Sequence, residues 1–208
     1  MYVEKLKVGP LGTNCYIIIN KSVNLCAVID PGADSQKISY FINSNNLTLT
    51  HIIITHSHSD HIDALDDLSK LFPNAKIIIS EIDNCTLNSN SYTLSDMLGT
   101  NAPVTKANVT VKDNDIISVC GYDAKIISTP GHTPGSICIY FENYNILFSG
   151  DTLFYESVGR TDFPGGSYKS ISVSIKDKLF ILPDKTIVYP GHNSETTIIH
   201  EIESNFYI

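Results

Sequence analysis

An α/β fold of two sheets with helices on their outer sides is predicted by three features of the chain. Short apolar, β-rich runs recur along its whole length, most of them bounded by turn residues such as Asp30-Pro31-Gly32 and Glu142-Asn143. Five of these runs follow one another between Val109 and Phe148 with no room for helices, which argues for antiparallel hairpins and against a doubly wound parallel sheet. Helical stretches separate several of the others.

Taken in order, strands are expected at Tyr16–Ile19, Leu25–Ile29, Ile52–Ile54, Ile77–Ile79, Val109–Val111, Ile116–Val119, Ala124–Ile127, Ile137–Phe141, Ile146–Phe148 and Ile187–Tyr189. Ser35–Asn45 reads as a helix, with Asp34 as its N-cap and Ile38, Phe41 and Ile42 on one face. Ala64–Phe72 is a second helix, with Asp63 as cap and Pro73 as stop; Lys169–Leu182 and Glu195–Phe206 are the late ones. Glu81–Asn108 is Asn- and Ser-rich with scattered Leu, Tyr and Met, and fits either a surface excursion with a short helix or a lid over a site.

The 208 residues carry a formal charge of -8, which argues against a nucleic-acid groove or an anionic membrane surface as partner. Five cysteines, an odd number without CxxC spacing, read as free thiols in a reducing compartment. The N-terminal MYVEKLKVG has charges where a signal peptide needs an apolar run, and no stretch reaches the ~18 apolar residues of a membrane span. A cytoplasmic protein is the expectation.

The histidines carry the chemistry. Three of seven, together with Asp60, fall in Thr55-His56-Ser57-His58-Ser59-Asp60-His61, between an expected strand and an expected helix. On a helix His56 and His58 would point to nearly opposite faces, but in extended backbone residues two apart point the same way and can share an ion. As the chain curls into the helix, Asp60 and His61 swing to a neighbouring position, so two adjacent metal sites are expected. Pro130-Gly131-His132, Ser149-Gly150-Asp151 and Pro190-Gly191-His192 each place a metal-binding side chain after a glycine just past a strand. Glycine there permits the sharp turn that aims the next side chain across the sheet edge. His51 and His200 lack such settings and are expected at the surface.

These motifs make the chain resemble the metallo-β-lactamase superfamily, with its HxHxDH motif followed by His, Asp and His. Gly131-His132-Thr133-Pro134-Gly135-Ser136, Phe148-Ser149-Gly150-Asp151-Thr152-Leu153-Phe154, Gly159-Arg160-Thr161-Asp162-Phe163-Pro164-Gly165-Gly166-Ser167 and Tyr189-Pro190-Gly191-His192 resemble the short glyoxalase II-like hydrolases more closely. The likeness runs from Asn14 to the last residue. It implies one αββα sandwich domain spanning 1–208, with His56, His58 and His132 on metal one, Asp60, His61 and His192 on metal two, and Asp151 bridging. The chain departs from the family pattern with Ile62-Asp63-Ala64 after His61, where Gly-Gly is frequent, and with Asn193-Ser194-Glu195 after His192, where Gly-Pro is common. Both departures alter the pocket rim and leave the ligands intact. No Cys occupies a ligand position, which speaks against the commonest type of β-lactamase. The likeness does not extend to the C-terminal helical domain with which full-length glyoxalase II holds glutathione.

A His/Asp ligand set without thiolate suits zinc first, with iron or manganese also accepted. Two such ions would generate a bridging hydroxide near neutral pH, and a thiolate leaving group, pKa about 8.5, needs no general acid. Thioester hydrolysis is therefore the undemanding reaction for such a site, and the resemblance implies activity of glyoxalase II type on a small acyl-thiol such as S-lactoylglutathione. Asp60 is the candidate to orient the hydroxide. Arg160, the one Arg among fourteen basic residues, either grips a substrate carboxylate or pairs with Asp162. Two rivals stand beside this reading: a persulfide dioxygenase with a single iron on His56, His132 and Asp151, and a metal-bearing binding module without catalysis.

Overall fold

A computed structural model describes residues 1–208, and its backbone falls into two compact units. The first comprises Met1–Thr110 with Ser118–Tyr122, the second Val111–Ile117 with Asp123–Ile208.

The first unit begins with β1 (Tyr2–Val8), β2 (Thr13–Asn20), β3 (Leu25–Ile29), α1 (Ser35–Ser44) and β4 (Thr48–Ile53). It continues through α2 (Ser59–Ile62), α3 (Leu65–Leu71), β5 (Lys76–Ser80), α4 (Glu81–Asn84) and α5 (Ser95–Leu98) to β6 (Val109–Val111). Its six-stranded sheet has the order β1-β2-β3-β4-β5-β6. The first two pairings are antiparallel, whereas β3–β4 and β4–β5 are parallel because α1 and α3 carry the chain back between them. Ile38 and Ile42 of α1 and Leu65 and Leu68 of α3 pack with Ile17, Ile19, Val28 and Ile52 in one core. Every residue of β2 is buried, the mark of a strand covered on both faces.

The second sheet has the order β14-β13-β10-β9-β8-β7. Its strands are β7 (Ile116–Val119), β8 (Tyr122–Ser128), β9 (Ile137–Phe141), β10 (Ile146–Gly150), β13 (Ile187–Pro190) and β14 (Thr196–Thr197). A small hairpin, β11 (Leu153–Phe154) with β12 (Ser157–Val158), follows β10. The antiparallel run expected between Val109 and Phe148 is present in β8–β9 and β9–β10, and the β10–β13 pairing is parallel. Helices α6 (Tyr168–Ser174) and α7 (Ile198–Ser204) contribute Ile171 and Ile198 to a core with Tyr140, Leu147 and Val188.

Several boundaries differ from expectation for physical reasons. Helix α1 begins at Ser35 with Asp34 at the N-cap position as expected, but neither Asp34 nor Asp63 caps its helix by side chain. Asp34 has a left-handed backbone and accepts from Gly9 N at 3.1 Å, and Asp63 accepts from Ser59 Oγ at 2.6 Å. The expected Lys169–Leu182 helix is α6 followed by a π-helical turn over Ile175–Leu179. The last helix starts at Ile198 because Thr196 and Thr197 first pair with β13. Strand β1 escaped notice because its Lys and Glu residues are those of a half-exposed edge. The Glu81–Asn108 segment holds two short helices, and it is tied to the HxHxDH region where Thr93 O accepts from Ser59 N at 2.7 Å. No helix is long and apolar enough to cross a membrane.

Candidate metal centre

In the first unit the site is built on the end of β4. Beyond Ile54, whose N–H still bonds Ile78 O, the chain leaves the sheet and Thr55 meets Asp30 at the end of β3. Asp30 Oδ1 accepts from Thr55 N at 2.8 Å, and Oδ2 accepts from Thr55 Oγ1 at 2.6 Å. The same Oδ2 lies 3.0 Å from His61 Nδ1, so that nitrogen is the donor. Thr55, whose proton goes to Asp30, accepts in turn from His56 Nδ1 at 3.1 Å. With Nδ1 committed as N–H in both rings, Nε2 is the atom each can offer to a cation, the usual arrangement behind a metal-bound imidazole.

Asp83 Oδ2 accepts from Ser57 N at 2.9 Å and fixes the backbone between His56 and His58. His58 keeps extended dihedrals, φ -69° and ψ 145°, and α2 begins with the next residue. The extended-then-helical path expected from the motif is therefore observed. His56 sits with ring centroids 4.8 Å from His58 and 4.2 Å from His61. The donor atoms of His56 and His58, of His56 and His61, and of Asp60 and His61 lie within 4.8 Å of one another. Asp60 Oδ2 accepts from Thr13 Oγ1 at 3.0 Å and stands 3.6 Å from His61 Nε2.

In the second unit the expected glycine turns appear at Gly131, φ +147°, and Gly150, φ +50°. His132 Nδ1 donates to Arg160 O at 2.7 Å, which again leaves Nε2 as the lone-pair nitrogen. Asp151 Oδ2 lies 3.6 Å from His132 Nε2 and 3.6 Å from His192 Nε2. Phe154 of β11 packs edge-on against the His192 ring, 6.0 Å between centroids.

These 3.6 Å separations are too long for hydrogen bonds. Two ligands held about 2.1 Å from one tetrahedral ion stand roughly 3.4 Å apart. The donor set and its spacing thus fit divalent cations.

Gly159 passes directly over Asp151: a Cβ there would collide with the Asp151 carbonyl and press on the His132 ring at 3.2 Å. Gly159→Ala should therefore cost about 1–3 kcal/mol of stability and reduce metal retention. A thermal melt paired with metal analysis checks this, and an unchanged melt would contradict it.

The remaining expected residues fall outside these sets. Arg160 makes a bidentate pair with Asp162, Nε to Oδ1 at 3.0 Å and one terminal nitrogen to Oδ2 at 2.7 Å, both side chains well exposed. Its guanidinium also lies over the Phe163 ring at 4.2 Å. His51 contacts Thr50 Oγ1 and is half-buried, with its pKa lowered by burial and by Lys76. His200 contacts Glu156 and stacks on Tyr155. All five cysteines are free, and burial pushes the thiols of Cys26 up to about 12 and of Cys120 and Cys138 up to about 11. Residue spacing did not reveal Asp30, Thr55, Thr13 or Asp83. Asp30 was visible only as part of a turn.

A model of the metallo-beta-lactamase superfamily matches residues 8–192. Among curated relatives, the probable metallo-hydrolase YqgX of Bacillus subtilis is 32% identical over 99% of this chain and 96% of its own length. The hydroxyacylglutathione hydrolase GloC of Haemophilus influenzae is 31% identical over 100% of this chain and 98% of its own. Among solved structures, the BLEG-1 B3 metallo-beta-lactamase superposes with a TM-score of 0.94 at 30% identity, covering 99% of each chain. TTHA1623 in a di-iron-bound form gives 0.87 at 28% identity, covering 99% of this chain and 100% of that one. Two mixed sheets carrying helices, a family match over most of the length and an intact His/Asp set lead to one conclusion: the chain belongs to the metallo-beta-lactamase superfamily.

Proposed function

We propose that this metal-dependent hydrolase cleaves thioesters in the manner of glyoxalase II, with S-lactoylglutathione as the first substrate to test. The observation that carries the reading is the end-to-end similarity to a hydroxyacylglutathione hydrolase, which covers 98% of that protein's length. In this reading His56, His58 and His132 hold one ion, Asp60, His61 and His192 the other, and Asp151 both. Support comes from the donor atoms gathered within each unit, those of His56, His58, Asp60 and His61 in the first and of His132, Asp151 and His192 in the second.

Divalent ions held by such a set would supply a lowered water pKa and polarisation of a carbonyl oxygen. The protein's own contribution is orientation. Asp30 and Thr55 set the His61 and His56 rings, the Arg160 carbonyl sets His132, and Thr13 holds the Asp60 carboxylate. Asp60 is the group we assign to orient the attacking water. A thiol of pKa about 8.5 leaves as thiolate, so the reaction requires no protein acid.

Similarity to a B3 metallo-beta-lactamase favours lactam hydrolysis as a second reading. Metal-loaded protein should be assayed on S-lactoylglutathione, neutral acyl-thiols and a chromogenic cephalosporin, with oxygen uptake recorded on a persulfide. Thiol release from thioesters is expected. Lactam opening without thiol release, or oxygen consumption by a preparation with one iron per chain, would overturn the proposal in favour of the corresponding rival.

We also assign Arg160 as the contact for an anionic acyl-thiol. Its exposed pair with Asp162 is worth little in water and can be exchanged for a substrate carboxylate. Arg160→Lys keeps the charge and loses the planar fork, so KM should rise about tenfold for carboxylate-bearing thioesters with metal content unchanged. An equal change on neutral substrates would leave Arg160 as an internal partner of Asp162 only.

A further inference from the structure

We propose that Glu201 is a positioning residue for His192, acting through the two segments that flank it; the inference rests on His192 being a metal ligand, as assigned above. Glu201 lies on α7 and is 1% exposed. A carboxylate so placed has to be compensated by donors, since burying it uncompensated costs several kcal/mol. Both its oxygens accept from Glu156 N, at 3.2 and 3.0 Å. Oε1 also accepts from Thr196 Oγ1 at 2.6 Å, and Oε2 from Asn205 Nδ2 at 2.8 Å.

Two of these donors, Glu156 and Thr196, come from places that matter to His192. Glu156 is the turn of the β11–β12 hairpin, held at φ +50°, a conformation that non-glycine residues adopt only when the surroundings enforce it. That hairpin carries Phe154, whose ring packs on His192. Thr196 lies on β14, four residues beyond His192, where the chain returns to pair with β13. One carboxylate therefore ties the aromatic wall beside His192 to the backbone that follows it. His200 on α7 and Asn205 just beyond it strengthen the same grip: Asn205 Nδ2 donates to Ser157 O at 3.1 Å, and His200 Nε2 lies 3.0 Å from Glu156 Oε1. An apolar side chain at position 201 could fill the space, but it could not hold both segments at once.

The test uses the full chain, loaded with zinc, and a chelator titration that follows release of each ion alongside melts of the loaded and metal-free forms. Glu201→Gln keeps the shape but sets an amide nitrogen among donors. It should lower retention of the ion assigned to His192 about tenfold and leave the other unchanged. Phe154→Ala should produce the same selective loss. If Glu201→Gln does not fold, Thr196→Val removes a single bond and is read in the same way. Equal destabilisation of loaded and metal-free protein, with both ions released as in the wild type, would overturn the inference. Wild-type protein that releases only one ion, unaffected by His192→Ala, would overturn the underlying dinuclear reading instead, so the two failures are distinct.

Discussion

Asp151→Ala is expected to strip metal from both positions and to abolish turnover, a larger effect than removal of any single histidine. The reason is local geometry: one oxygen of Asp151 stands 3.6 Å from Nε2 of both His132 and His192. Each histidine substitution removes one neutral ligand from one proposed ion. Loss of Asp151 would remove the proposed shared ligand and with it a negative charge that would screen two cations from each other at short range. Asp151→Asn should fall between, because it keeps the oxygen and loses the charge. Metal content by elemental analysis and thiol release in one assay would check both. Full occupancy of either ion with a near-normal rate in Asp151→Ala would show that the bridging assignment is wrong.

Asp30→Ala should be the most destabilising single change near the centre, by about 3–5 kcal/mol, or roughly 10 °C in Tm. Asp30 is 2% exposed and accepts three hydrogen bonds, from the Thr55 N–H, the Thr55 hydroxyl and His61 Nδ1. Alanine would leave all three donors buried beside a small cavity, and each unsatisfied group costs about 1–3 kcal/mol. Asp30→Asn separates stability from ligation. Its amide oxygen can still accept, so the melt should recover in part. Its NH2 cannot accept the His61 proton, so metal affinity should remain 10–100-fold weak. A melt within 1 kcal/mol of wild type for Asp30→Ala would contradict the role given to this carboxylate.

The contrast between Asp30 and Asp151 shows what was legible in the sequence. Metal-capable side chains are rare enough, and their spacing regular enough, that HxHxDH and three Gly-His or Gly-Asp turns stood out without any fold. Asp30 is thirty-one residues from the ring it orients, and nothing local distinguishes Asp30-Pro31-Gly32 from an ordinary turn. The strands show the same division. All ten apolar runs form strands, because burial on one or both faces demands them. The four missed strands are a charged edge, β1, and the two-residue β11, β12 and β14, whose pairing depends on tertiary neighbours. Helix α1 starts after Asp34 as expected and α3 one residue later than expected, but neither Asp34 nor Asp63 supplies a side-chain cap. A carboxylate near a helix end has other partners to choose from, and these two chose Gly9 N and Ser59 Oγ.

The most direct measurement is the metal stoichiometry of the intact protein, purified without chelator and titrated with zinc or iron under anaerobic conditions. The account predicts saturation near two ions per chain, falling toward one in His61→Ala and in His192→Ala. Saturation at a single ion, with His61 and His192 dispensable for both binding and turnover, would contradict it.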